Sequence, residues 1–116
     1  MQAIAKANFQ RIATRKARVV LNMVRGKNVA VALNELRFTR KSAAPMVAKL
    51  LDSAIANARQ KDPGVDLDGL YVETAFADMA PDTHMRRWRP RAQGRATMIK
   101  KGMSHITIVI GDRQGA

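Results

Sequence analysis

A chain of 116 residues that is 47 % hydrophobic and 26 % charged can build one modest core, which excludes a disordered tail. With no cysteine it can form neither a disulfide scaffold nor a thiolate metal site, and no apolar run approaches the roughly 18–20 residues that cross a bilayer. The net charge is +12 and arginine outnumbers lysine thirteen to eight; the guanidinium fork suits phosphate, so composition points to a nucleic acid partner.

The first residues, MQAIAKANFQRIATRK, are basic and free of acids. They lack the apolar stretch of a signal peptide and read as part of the mature domain. Ala3, Ala5, Ala7 and Phe9 alternate with Gln2, Lys6 and Asn8, which predicts a short strand over 2–9. Thr14 is the expected cap of a helix that runs to Arg25 and stops at Gly26. Its Ala17, Val20, Leu21 and Val24 share one side, and Arg15, Arg18, Asn22 and Arg25 share another, a basic stripe beside an apolar one. Asn28 should cap a second helix with Val29, Ala32, Leu33 and Leu36 at helical spacing. A third helix begins between Thr39 and Ser42 and ends near Gln60, burying Val47, Leu51, Ala54, Ile55 and Ala58. Capped at Ser42, it carries Pro45 in its first turn; capped at Thr39, it bends there. KDPGVDLDG then breaks the chain.

From Leu70 the period becomes two. LYVETAF sets Leu70, Val72, Thr74 and Phe76 against Tyr71, Glu73, Ala75 and Ala77, and SHITIVI places Ile106, Ile108 and Ile110 on one face. About 25 residues separate these strands, from Asp78 to Met103. A connection that long inside a small domain is generally functional or disordered. If both strands continue, it becomes a hairpin arm projecting ~40 Å, with its turn near Pro90 to Gly94. Seven Lys and Arg lie between Arg86 and Lys101 with no acid among them, so the surface that supports the arm should be polyanionic. Trp88 suits either stacking on an unpaired base or plugging an apolar gap.

Charge is blocked along the chain. Residues 1–49 carry eleven bases against Glu35, residues 50–83 two bases against seven acids, and residues 84–116 eight bases against Asp112. Two separated basic blocks repel each other unless a polyanion neutralises both. A helix-turn-helix DNA binder is the structural rival, because two helices meet at Arg25-Gly26-Lys27-Asn28; NVAVALNEL, however, offers almost no base-reading side chains. Ser104 and His105 are adjacent on a strand and point to opposite faces, so they form no nucleophile–base pair. Asp66-Leu67-Asp68-Gly69 mimics part of a calcium loop, but the register puts Gly64 and Ala75 at ligand positions. No enzyme, metal or cofactor is expected. The arm also lacks the bulky apolar face a membrane surface would require.

RKARVVLNMVRGK, SAIANA, LYVETAFAD, RRWRPRAQGRA and SHITIVI, in this order and spacing, resemble the large-subunit ribosomal protein twenty-two family in its short form, across essentially the whole chain. The resemblance implies an α+β fold: three helices packed on a small antiparallel three-stranded sheet, with 78–103 as an extended β-hairpin arm of a single rRNA-binding domain. It implies binding to 23S-type rRNA during early assembly of the large subunit, and a hairpin tip that lines the nascent-peptide exit tunnel. The implied rRNA-binding residues are Arg11, Arg15, Lys16, Arg18, Arg25, Lys27, Arg40, Lys41, Arg86, Arg87, Arg89, Arg91, Arg95, Lys100 and Lys101. The implied tip is Met85, Arg86, Arg87, Trp88, Arg89, Pro90, Arg91, Ala92, Gln93, Gly94 and Arg95. The implied partners are other large-subunit proteins and the nascent polypeptide, with the chain a monomer in a bacterial cytoplasmic or organellar ribosome. Trp88 and Gly102-Met103 depart from the family pattern.

Overall fold

The computed structural model describes residues 2–80, 87–90, 96–99 and 103–112. In chain order they form β1 (Gln2–Gln10), α1 (Thr14–Val24), α2 (Val29–Arg37), α3 (Ala44–Lys61), a 3₁₀ turn (Leu67–Gly69), β2 (Tyr71–Ala80), β3 (Arg87–Pro90), β4 (Ala96–Ile99) and β5 (Met103–Gly111). The fold is α+β. β5 lies between β1 and β2 and pairs antiparallel with both. α3 lies against β1, α1 against β2, and α2 packs on α3.

Ile106, Ile108 and Ile110 on β5 are fully buried, as period-two patterning predicts. Their sheet neighbours are small: Ile108 faces Ala5 on β1 and Ala75 on β2. Ala54 and Ala58 on α3 are also fully buried, so helix and sheet approach closely. The bulk that fills the interior comes from isoleucines and from Leu21, Leu51 and Leu70, all at 0 % exposure. The opposite sheet face is more open, with Ile4 and Phe76 exposed.

Helix ends follow local chemistry. The Asn28 side chain accepts from the Ala30 N–H at 2.9 Å, the expected cap of α2, and its amide donates to the Asp68 carbonyl. Replacing Asn28 with Ala is expected to cost about 1 kcal/mol, read as a lower urea midpoint at unchanged slope. Gly26 takes φ 80° just beyond α1, where a side chain would be strained. α3 starts at Ala44 with Pro45 in its first turn, so the proline costs no helical hydrogen bond.

Three expectations are corrected. Thr14 does not cap α1; the cap position is Ala13, which makes no side-chain cap bond. The buried Ser104 hydroxyl donates to the Ile12 carbonyl at 2.8 Å, so its oxygen takes the Thr14 hydroxyl proton at 2.9 Å. Leaving Ser104 short of a partner would cost more than an unfilled cap. In β2 the faces swap midway. Leu70 and Val72 are buried, but a register shift between Val72 and Thr74 then buries Ala75 and Ala77 and exposes Thr74 and Phe76. β1 likewise shifts between Ala7 and Gln10, and Phe9 takes φ 55° and turns out to solvent. The Phe9 N–H donates to His105 Nδ1 at 3.1 Å, and the two rings meet edge-on with centroids 4.6 Å apart, which offsets that strain.

β3 and β4 form a second, two-stranded antiparallel sheet. β2–β5 pairing reaches Ala80 opposite Met103, and β3–β4 pairing runs from Arg87 opposite Ile99 to Pro90 opposite Ala96. The chain measures 65 × 25 × 21 Å.

Candidate nucleic-acid interface

The basic stripe of α1 runs along the edge of β2, and two of its arginines are anchored there. Arg25 Nε donates to the Ala75 carbonyl at 3.2 Å, its Nη2 donates to the same oxygen, and its Nη1 reaches Asn22 Oδ1 at 2.6 Å. Arg18 Nε donates to the Ala77 carbonyl at 3.1 Å. An edge strand exposes unpaired backbone groups, and these side chains satisfy two of its carbonyls. Both guanidinium groups are thereby held in one orientation on an exposed surface, and less rotamer entropy is lost when a phosphate arrives. Arg25→Lys keeps the charge and loses the fork. It is expected to cost about 1 kcal/mol of folding stability, seen as a lower urea midpoint; an unchanged midpoint would mean water serves the carbonyl equally well.

The other basic residues of the globular part are placed as follows. Arg11, Arg15, Lys16, Arg40 and Lys41 are exposed. Lys16 and Lys41 meet at one cavity of about 240 Å³, completed by Val19, Ser42 and Ala43, at the amino end of α3. That end has neither an acidic residue in its first turn nor a side-chain cap. Two lysines beside the positive end of a helix dipole are mutually unfavourable until an anion binds. Lys27 differs from the rest: it is half-exposed and forms an ion pair with Glu35. Its charge is already partly answered within the fold.

Sequence reasoning passed over Lys6 and Lys49. They line a cavity of about 340 Å³ between β1 and α3, together with Asn8, Gln10 and Ser53. Lys6 sits on the polar face of β1 and Lys49 on the outer face of α3, and only the packing of α3 on β1 brings them together. The missed signal was the polar side of each element.

In the arm, the backbone of Arg87, Trp88, Arg89 and Pro90 forms β3. Met85, Arg86, Arg91, Ala92, Gln93, Gly94, Arg95, Lys100 and Lys101 lie outside the described residues, as does the expected turn beyond Pro90. The ladder of β3 and β4 has Arg87, Arg89, Thr97 and Ile99 among its paired residues, so the basic run enters an antiparallel ribbon.

Helices on a three-stranded sheet, arginines fixed along its edge, and a separate two-stranded ribbon whose first strand is basic make the build of a structural protein of a ribonucleoprotein. Residues 5–111 match the family model of ribosomal protein L22p/L17e, and the chain belongs to that family of large-subunit ribosomal proteins. It is 48 % identical over 114 residues to the large ribosomal subunit protein uL22 of Sorangium cellulosum (strain So ce56), covering 98 % of this chain and 100 % of that protein. It is 47 % identical over 113 residues to the protein of the same name from Geobacter metallireducens (strain ATCC 53774 / DSM 7210 / GS-15), covering 97 % of this chain and 100 % of that one. The family is one of ribosomal structural proteins, not enzymes.

Proposed function

We propose that this protein binds 23S-type rRNA through the α1 edge and the arm, supports early assembly of the large subunit, and lines the nascent-peptide exit tunnel with the tip at Met85 to Arg95. The observation that carries the reading is the anchoring of Arg18 and Arg25 to Ala77 and Ala75, on the strand that leads into the arm. A basic surface from α1 therefore lies along the edge of the strand that precedes the arm in the chain, with Asp78 the exposed acid on that strand. Arg11, Arg15, Lys16, Arg40 and Lys41 extend it over the globular part, and Arg86, Arg87, Arg89, Arg91, Arg95, Lys100 and Lys101 extend it along the arm. Specificity comes from RNA shape and unpaired bases, because the deep groove of an A-form helix is closed to side chains. The chain acts as a monomer within the ribosome, beside other large-subunit proteins and the growing polypeptide, in the bacterial cytoplasm.

Deleting Met85 to Arg87 tests the division of labour. The shortened chain is expected to enter large subunits at near the parent level while changing reactivity of the tunnel wall to a chemical probe of rRNA. A variant that failed to enter large subunits at all would contradict it.

A further inference from the structure

The groove between α2 and α3 is unlike the rest of the surface. Two cavities of about 350 and 320 Å³ lie end to end along it and share Leu33 and Asp52. From Pro45 to Arg59, α3 lines it at spacings of three and four residues, a stripe ~21 Å long at ~1.5 Å per residue. Leu33, Ala48, Ile55 and Leu67 are half-buried, with one flank on the core and the other in the groove.

The charges argue against RNA here. The chain carries +12, yet this lining has two carboxylates, Asp52 and Asp68, against two arginines, and no lysine. Asp52 is at the junction of the two cavities and has no hydrogen bond or ion pair among the described residues. It belongs to the stretch 50–83, where acids outnumber bases seven to two. The groove offers apolar contact and one unanswered central negative charge. Its walls are helices whose backbones are already bonded, so it offers no strand edge to an extended peptide.

We propose that this groove holds an amphipathic helix of a second large-subunit protein, about four turns long, apolar on its docking side and carrying a central Lys or Arg that meets Asp52. The assignment rests on the ribosomal placement proposed above.

The chain has no cysteine, so Ala56→Cys puts a single thiol on the exposed lining of the groove. Large subunits carrying this variant are treated with a short maleimide–succinimidyl ester cross-linker, and the conjugates are mapped by mass spectrometry. The expected result is one conjugate, to a lysine in an amphipathic helix of another large-subunit protein. Adding Asp52→Lys should lower its yield about tenfold, because it sets two like charges together. A thiol that stays open to maleimide in the subunit overturns the proposal. So does a protected thiol with no protein conjugate, which means rRNA covers the groove, and so does a yield indifferent to Asp52→Lys. Absence of the well-folded Ala56→Cys chain from large subunits would overturn the ribosomal placement itself, so the two failures read differently.

Discussion

Raising salt from 50 to 200 mM is expected to weaken binding of the isolated protein to 23S-type rRNA by roughly 10³–10⁵-fold, if six to ten phosphates are engaged as in duplex DNA. Each Lys or Arg that meets a phosphate releases condensed counterions, and added salt removes that entropic gain. Seven exposed bases of the globular part belong to the proposed interface: Arg11, Arg15, Lys16, Arg18, Arg25, Arg40 and Lys41. Neutralising Arg15 and Lys16 together should therefore reduce the slope of log K against log salt by about two. Filter binding at five salt concentrations measures both. A slope near zero would mean that the basic surface faces solvent, and the proposed interface would fall.

Ile108→Ala is expected to cost about 4 kcal/mol, near the upper end for such truncations. Ile108 is fully buried on the central strand, and its cross-strand neighbours Ala5 and Ala75 cannot extend into the space it leaves. A domain of this size holds only about 5–15 kcal/mol, so much of the stability would go. Ile4→Ala, in the same sheet but 48 % exposed, should cost under about 1 kcal/mol. Urea denaturation of the two variants side by side gives the contrast. Equal losses would mean that the two sheet faces are equally covered.

The contrast also bears on what the sequence can reveal. Ile106, Ile108 and Ile110 are legible because strand period and burial coincide over the whole of β5. The α1 stripes and the Asn28 cap are legible because their partners lie within a few residues. β2 misleads. Thr74 and Phe76 look like a continuation of the Leu70 and Val72 face, and only the register shift against β5 reverses them. Nothing near Glu73 announces it. Thr14 misleads for a similar reason: its partner, Ser104, is 90 residues away.

The same distinction holds for the candidate interface. That α1 is basic along one side is visible in the sequence. That Arg18 and Arg25 are also fasteners for a strand edge 50 or more residues away is not, because carbonyl acceptors carry no side-chain signature. Lys27 looks equivalent to its neighbours until its ion pair with Glu35 is seen. The pairings of Lys16 with Lys41 and of Lys6 with Lys49 depend on how α3 is laid across the rest of the fold. Local chemistry thus identifies which residues carry charge, and tertiary packing decides which of them act together.

The most direct measurement is sedimentation of the tagged protein from cell extract through a sucrose gradient after a high-salt wash. Retention in the large ribosomal subunit is the predicted result, since an arm embedded in folded RNA, as proposed, would not leave by counterion exchange alone. Release by the wash, or co-sedimentation with DNA, would contradict it.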